Sequence, residues 1–199
     1  MFNYLIPLVL FISTMAITPG PNNLMMASSG ATFGFRKTLP AALGASAAFA
    51  VLQFVFCMGL SALFVELPVI RTMIALFGAA YMLYLAWRVS GAGPVRQKNV
   101  VRPLSFLEMA SFQMVNVKAW ISLTTAATAF SHYMFSQVME SVLIGVLQFA
   151  IVLTALIVWA SIGITIRQFL TDWRLRVFNN IMAASLALIA AWVLFEELL

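Results

Sequence analysis

Residues 18–23, Thr18-Pro19-Gly20-Pro21-Asn22-Asn23, lie in the middle of an apolar stretch, residues 4–32, that is long enough to cross a lipid bilayer. Pro19 and Pro21 remove two backbone donors and clash with preceding carbonyls, and Gly20 adds flexibility, so the helix is predicted to break here. Backbone groups freed at membrane depth are tolerated only inside protein or beside a wet cavity. A second half-helix is predicted to begin near Pro21, where its amides and dipole favour an anion such as a carboxylate.

The rest of the chain has the composition of a membrane protein. Of its 199 residues, 63% are hydrophobic and only 9% are charged, whereas a soluble domain carries about 25% charged residues. A soluble fold of this size would leave too much apolar surface in water. Six stretches are long and apolar enough to span a bilayer: residues 4–32, 38–65, 69–89, 106–130, 141–166 and 177–195. The sequence therefore predicts an all-α, polytopic membrane protein with a single integral domain, residues 1–199.

The distribution of positive charge predicts the orientation. Nine of the eleven Lys and Arg residues lie in or beside the loops after spans one, three and five. The opposite side holds Arg71, Glu66, Glu140, Glu196 and Glu197. By the positive-inside rule the basic loops, including residues 91–104, face the cytoplasm of a bacterial cell, and both termini face the periplasm. The basic residues that give the net charge of +5 lie mostly between the apolar stretches, as the topology of an inner-membrane protein requires. We therefore predict lipid around the spans and no nucleic-acid partner.

A second polar segment, Gln113-Met114-Val115-Asn116-Val117-Lys118, lies about ten residues into span four. Lys118 is the only charge well inside a predicted span, so it should face the bundle interior and have a partner there. Pro19 and Asn116 are 97 positions apart, close to half the chain, and each begins a group of three spans. Interrupted helices in corresponding places of two inverted halves point to a transport site. We therefore predict two inverted three-helix repeats, residues 1–90 and 105–199.

Several segments, taken together and in order, resemble one known family. They are residues 18–23, Gly34-Phe35-Arg36, Ala41-Ala42-Leu43-Gly44, Gly78-Ala79-Ala80-Tyr81-Met82-Leu83-Tyr84-Leu85-Ala86-Trp87 and Phe112-Gln113-Met114-Val115-Asn116-Val117-Lys118. This pattern is similar to the LysE/RhtB family of bacterial amino-acid exporters and extends over the whole chain. The resemblance implies a secondary exporter of a small amino-acid-like solute rather than an enzyme.

Two departures from the family pattern narrow the implied substrate. Val117 stands where the family usually has a proline, which implies a milder break or a distorted helix in span four. Residues 44–49 contain no acid, whereas many members carry one there. Both departures resemble the branch that exports cysteine and O-acetylserine. A carboxylate would be needed to hold the side chain of lysine or arginine, and this membrane interior offers none, so a small neutral amino acid is expected.

The expected mechanism places the substrate between the two polar segments. Its carboxylate meets the N-terminus of the second half-helix and the ammonium of Lys118, and the two halves rock to alternate access. The predicted substrate-binding residues are Gly20, Asn22, Asn23, Gln113, Asn116 and Lys118. Lys118 is also the candidate carrier of a coupling proton. No cofactor is expected beyond the proton motive force, because the sequence has no P-loop for a nucleotide.

Simpler interpretations of the same residues stay open. Lys118 could serve only to hold carbonyls of a distorted helix, and Asn22 or Asn23 only to cap the second half-helix. Gln113 could be an interhelical contact, and the Gly and Ala residues of spans two and three are better explained by close helix packing than by substrate contact. The spacing of Gly30 and Gly34 matches a dimerisation motif at a span edge, which gives a homodimer little support.

This sequence lacks the residues that several other classes of membrane protein need. Cys57 is the only cysteine, which excludes a redox pair and favours a buried apolar role. An intramembrane protease needs paired Asp or a Ser/His dyad, but Asp172 is the only Asp and His132 falls in an outer loop. A single His with no nearby ligand predicts no metal site. The alternatives that stay open are export of another solute, such as homoserine, threonine, a basic amino acid or another metabolite, and a structural or enzymatic membrane role.

Overall fold

The computed structural model of the chain describes residues 2–90, 102–130 and 136–198. These residues form α-helices joined by short breaks, with one π-helical turn and no strand in the described ranges. The helices are α1 (Phe2–Ile17), α2 (Pro21–Phe33), α3 (Phe35–Val55), the π-turn (Phe56–Leu60), α4 (Ser61–Glu66), α5 (Pro68–Ser90), α6 (Phe106–Gln113), α7 (Val117–Phe130), α8 (Gln137–Gln168) and α9 (Asp172–Leu198). The predicted all-α fold is confirmed.

The long helices have the length and hydropathy of membrane spans. Four apolar segments of the described chain qualify on their own: Phe35–Leu60, Pro68–Ser90, Gln137–Gln168 and Asp172–Phe195. The pair α1 and α2 qualifies as a fifth, with a bend of 55° between the two helices. The shorter α6 and α7 occupy the region predicted as span four. The chain is therefore an integral membrane protein, and the count of six spans stays a prediction.

The first break lies where the sequence places it. α1 ends at Ile17, and α2 begins at Pro21 after an extended Gly20. Pro21 is the first residue of α2, a position where its missing N–H costs no hydrogen bond and its fixed φ suits the helix. The break therefore coincides with Pro19, Gly20 and Pro21, whose helix-breaking role stays a prediction.

Span four is also interrupted, although it lacks the family proline. α6 ends at Gln113 and α7 restarts at Val117. Side chains stabilise the gap: Trp120 donates from Nε1 to the carbonyl of Met114 at 3.0 Å, and Asn116 Oδ1 accepts from the backbone N–H of Ala119 at 3.4 Å. Asn116 thus caps the N-terminus of α7, and side-chain contacts between nearby residues stabilise the break without the proline.

A third interruption lies in span two, which the sequence analysis treats as continuous. The π-turn Phe56–Leu60 contains Gly59 at φ 128°, a left-handed backbone that favours glycine. Gln137 donates to the carbonyl of Cys57 at 2.9 Å from the start of α8. Cys57 itself is buried, as predicted. Short π-helical turns inside α-helices often lie at functional sites.

Helix ends extend beyond the predicted spans, so several charges assigned to loops are helical. Arg36 and Lys37 lie in the first turn of α3, and Arg174 and Arg176 lie within the first five residues of α9. Glu140 differs most from expectation. It is predicted to lie in a loop before span five, but it lies in the first turn of α8, which begins at Gln137, and its side chain is buried. Of the other predicted loop residues, Arg96, Lys98 and His132 lie outside the described residues.

Small residues allow the helices to approach closely. A Cβ built on Gly163 of α8 would lie 1.9 Å from the carbonyl oxygen of Ala27 in α2, and one built on Gly30 would lie 2.3 Å from that of Ala160. Gly44 in span two and Gly78 in span three contact backbone in the same way. The predicted close-packing role of such residues is confirmed. Gly30 packs against the backbone of Ala160 within the same chain, so it is not available for a dimer contact.

The helix pairing fits an inverted repeat. α3 packs on α8 and α5 packs on α9, which pairs span two with span five and span three with span six. α2 packs on α8, while α6 packs on α3. A two-fold axis between the halves would map each of the first two pairs onto itself, and it would exchange the contact of span one with span five for that of span four with span two. The first of these contacts is made mainly by the second half-helix of its span and the other by the first half-helix, so the correspondence holds for whole spans only. The pairing supports the two predicted repeats, which stay a prediction.

Candidate functional site

A central cavity of about 430 Å³ lies where the two interrupted helices meet α3 and α8. Its polar lining residues are Asn22, Asn23, Asn116, Lys118, Ser122 and Gln148, together with the bare backbone of Gly20. Five of the six predicted site residues therefore lie together on its wall, and Gln113 lies behind it. None of the lining residues is acidic.

The N-terminus of α2 points its free backbone donors toward this cavity. The first-turn amides of an α-helix have no intrahelical partner, and Gly20, at the N-cap, has no side chain to satisfy them. Pro21 contributes no N–H, so the amides of Asn22 and Asn23 are the donors on offer. Together with the positive end of the helix dipole, they favour a bound carboxylate.

The carbonyls freed at the end of α1 accept hydrogen bonds from the side chains of Asn23 and Trp159. Asn23 Nδ2 donates to the carbonyls of Ala16 at 2.9 Å and Thr18 at 2.8 Å. Trp159 of α8 donates from Nε1 to the carbonyl of Ile17 at 3.1 Å. Asn23 therefore stabilises the break with its amide nitrogen and lines the cavity at the same time.

Lys118 crosses from the second break to the first. Its Nζ donates to the carbonyl of Thr18 at 2.6 Å and is 3.5 Å from that of Pro19. The side chain lies over Gly20, where an added Cβ would come within 3.0 Å of both Nζ and Cδ. Among the described residues no carboxylate lies within ion-pair distance of Lys118. An ammonium has three donors, so one N–H is left for a ligand in the cavity.

Gln113 links the two breaks through amide groups. It exchanges two hydrogen bonds with Asn22, at 2.9 Å and 3.0 Å, and accepts a third from Asn116 Nδ2 at 2.9 Å. Its Nε2 also donates to the carbonyl of Met109 at 2.8 Å. Gln113 is fully buried, and its hydrogen bonds orient the side chains of Asn22 and Asn116.

The Asn22–Gln113 pair is expected to behave as one unit. Asn22→Ala and Gln113→Ala should each lower the free energy of unfolding by about 1–3 kcal/mol, because each removes both hydrogen bonds between the two amide groups. The double variant should be little less stable than either single variant, giving a coupling energy of about 1–2 kcal/mol. Thermal unfolding of the four purified proteins in one detergent measures the cycle. Additive losses would show that the two amides act independently.

Two polar residues of the cavity, Ser122 and Gln148, are missed by the sequence analysis. Gln148 of α8 is 1% exposed and donates from Nε2 to Gln53 Oε1 at 3.1 Å. Gln53 of α3 donates in turn to Cys57 Sγ at 3.2 Å, beside the π-turn. Polar side chains in the middle of apolar helices are costly and usually functional or paired. That signal alone could have selected Gln148 and Gln53.

Some cavity atoms remain free to contact a ligand. The hydroxyl of Ser122 and the Oε1 of Gln148 have no hydrogen bond to the described residues, and both side chains line the cavity. Within the described ranges, no group of three or more His, Cys, Asp or Glu side chains could hold a metal ion. The site is therefore one of amides, hydroxyls and a single ammonium.

Comparison with known proteins agrees with the motif resemblance. Relatives include proteins named cysteine/O-acetylserine efflux protein from Klebsiella pneumoniae, at 35% identity over 116 residues, and from Salmonella typhi, at 34% over 116 residues. Each alignment covers 58% of this chain, and the chain spans 59% of the length of these relatives. No solved structure matches the chain.

The family comparison covers far more of the sequence. A family model described as "LysE type translocator" matches residues 13–197, a range that contains both helix breaks and every cavity residue named above. Its description and the names of the relatives indicate a transporter rather than an enzyme. The chain belongs to the LysE type translocator family.

Proposed function

We propose that this protein is a secondary exporter of a small neutral amino acid or derivative, of the cysteine and O-acetylserine type, across the bacterial inner membrane. The observation that carries the proposal is the central cavity, in which Lys118 and the N-terminus of α2 lie together with no acidic residue on the wall. Such a site has one cationic end and is otherwise neutral. The names of the efflux-protein relatives favour the same substrate class.

The cationic end fits the α-carboxylate of an amino acid. One carboxylate oxygen accepts the remaining N–H of Lys118, and the other accepts from the amides of Asn22 and Asn23. Hydrogen bonds between charged groups in a water-poor site are about twice as strong as neutral ones. Lys118 can bind the substrate with this remaining N–H while it keeps its hydrogen bonds to the carbonyls of Thr18 and Pro19.

The other end of the cavity fits a small neutral side chain and an ammonium. Ser122 and Gln148 offer free oxygen atoms, which accept hydrogen bonds from the α-ammonium of the substrate. A second cationic group, as in lysine or arginine, would be buried without a carboxylate, which is strongly unfavourable. The cavity therefore selects for substrates whose only charges are those of the amino-acid backbone.

Transport requires that the two interrupted helices change their relation to one another. The residues that join them across the cavity are Lys118, Gln113 and Asn22, which are held by hydrogen bonds that can exchange. Rocking of the two halves about the site would open it to each side in turn. Lys118 is the candidate carrier of the proton that drives export, because it is the single ionisable group on the wall of the cavity.

Export is tested by mass spectrometry of the medium. Bacteria that express the chain, and matched cells with an empty vector, are supplied with precursors of cysteine, O-acetylserine, homoserine, threonine and lysine. Excess cysteine or O-acetylserine in the medium of the expressing cells is the expected result. Excess lysine alone would contradict the substrate class, since the cavity offers no carboxylate. Excess homoserine or threonine would keep the exporter and replace the solute.

A further inference from the structure

A second cavity of about 330 Å³ lies further along α2. Ser28 and Phe33 line it from α2, and Arg88 and Arg102 line it from the side of the basic loop. Ser28 follows Asn22 by six residues, which is about 9 Å along a helix. The second cavity and the central cavity thus follow one another along α2, and the second lies on the side predicted to be cytoplasmic.

The second cavity carries an excess of positive charge. Glu108 is the partner of both arginines: Arg88 Nη1 is 2.5 Å from its Oε1, and Arg102 contacts both carboxylate oxygens at 3.0 Å. One carboxylate therefore serves two guanidinium groups, which leaves a net charge of +1. The side chain of Arg88 is 10% exposed and that of Arg102 is 65% exposed. Arg102 is free to turn toward a ligand while Arg88 keeps Glu108.

The same carboxylate is joined to the central cavity through α6. Glu108 and Ser105 form a capping box at the N-terminus of this helix, with Glu108 accepting from the backbone N–H of Ser105 at 2.9 Å. Gln113, at the other end of α6, bonds to Asn22 in the central site. α6 is only eight residues long. A change in the ion pairs of Glu108 would therefore displace the N-terminal end of this short helix. The displacement would reach Gln113 at its other end, and through Gln113 it would reach Asn22 in the central cavity.

We propose that the second cavity is an entry site, in which Arg102 and Arg88 bind the α-carboxylate of the substrate before it reaches the central cavity. The site takes a small carboxylate-bearing zwitterion, which neutralises the excess charge and competes with Glu108 for the arginines. Competition loosens the hold that Arg88 and Arg102 have on α6 through Glu108, and so favours opening toward the central site. The inference rests on the proposed export function, because the ligand is taken to be the exported amino acid.

The test measures charge selectivity with a cysteine placed in the second cavity. Phe33→Cys is made, and the wild type, whose one cysteine is the buried Cys57, gives the background. Inside-out vesicles are treated with two impermeant methanethiosulfonates of similar size, one carrying a sulfonate and one a trimethylammonium group. At low ionic strength we expect the sulfonate to react roughly fivefold faster, because a local positive potential concentrates anions. O-acetylserine, which has no thiol, should slow both reactions.

Matched variants assign the selectivity to the cavity. Arg102→Gln in the Phe33→Cys background should reduce the sulfonate preference to about twofold or less, and Arg102→Lys should retain most of it. Arg36→Gln removes the same charge from a nearby helix end that does not line the cavity, and should lower the preference much less than Arg102→Gln does. Membrane abundance of each variant is compared by immunoblot.

Several results would overturn the entry site. They are equal rates for the two reagents, an equal effect of Arg36→Gln and Arg102→Gln, or labelling only in right-side-out vesicles. Protection by glycerol phosphate but not by O-acetylserine would replace the substrate with a lipid headgroup and so overturn the proposal as well. Uptake of O-acetylserine by the same wild-type vesicles reports the export function separately. Charge selectivity with protection, in vesicles that do not transport, would support the site and contradict the proposed function.

Discussion

Replacing Lys118 with alanine is expected to reduce export at least about tenfold. A hydrogen bond to a charged group contributes about 1.5–3 kcal/mol, and about 1.4 kcal/mol corresponds to a tenfold change. Lys118 provides the single ammonium on the wall of the central cavity, and none of the lining residues could replace its charge. Initial rates of O-acetylserine uptake into inside-out vesicles, divided by the amount of protein in the membrane, measure the effect.

The Lys118 side chain also donates hydrogen bonds to the carbonyls of Thr18 and Pro19. The effect of losing its charge must therefore be separated from the effect of losing these hydrogen bonds. Lys118→Gln removes the charge but keeps an N–H donor on a chain one bond shorter. We expect its thermal stability to fall less than that of Lys118→Ala, and its export to fall as far. Lys118→Arg keeps both charge and donors and should retain part of the activity. Lys37→Gln, a charge removed from an exposed helix end, is the control and should export normally.

A clear result would contradict this role. If Lys118→Gln exported at the wild-type rate, the ammonium would be dispensable, and Lys118 would serve only to hold the carbonyls of the broken helix. The proposed carboxylate contact and the proposed proton carrier would then both be lost. The exporter itself would stand, because its assay does not depend on this residue.

The parts of the fold that local chemistry decides could be predicted from the sequence. Pro19, Gly20 and Pro21 break the first span by their own backbone restrictions, whatever surrounds them. Length and hydropathy locate the spans because a bilayer imposes a minimum length on an apolar helix. The location of Lys118 beside the interior also follows from the cost of a charge in lipid.

The features that depend on which side chains and backbone groups meet in space could not be predicted. Span four breaks without a proline because Asn116 caps α7 and Trp120 satisfies the carbonyl of Met114, which is a matter of side-chain geometry. Lys118 finds backbone carbonyls one hundred residues away, not a carboxylate. The π-turn at Gly59 and the Gln53–Gln148 bond depend on how α3 and α8 meet. Sequence spacing alone carries no information on such pairings.

The second large effect is expected at the closest helix contact. In Gly163→Ala, the new Cβ would lie 1.9 Å from the carbonyl oxygen of Ala27, and that oxygen belongs to the rigid backbone of α2. Overpacking of this kind costs about 1–3 kcal/mol and occasionally more. Because α2 carries the first break and its free amides, a shift of α2 away from α8 should impair both stability and export. Thermal unfolding in detergent and vesicle uptake measure the two losses.

Gly145→Ala on the same helix is the matched control. Its Cβ would lie 3.0 Å from the carbonyl oxygen of Ala50, so a small adjustment of α3 is enough to accommodate it. The gain in helix propensity from glycine to alanine, about 1 kcal/mol, opposes that cost. We therefore expect Gly145→Ala to remain within about 1 kcal/mol of the wild type and to export normally. Equal stability of the two variants would show that α2 and α8 can separate freely, in which case the position of the α2 N-terminus over the cavity would not be fixed by this contact.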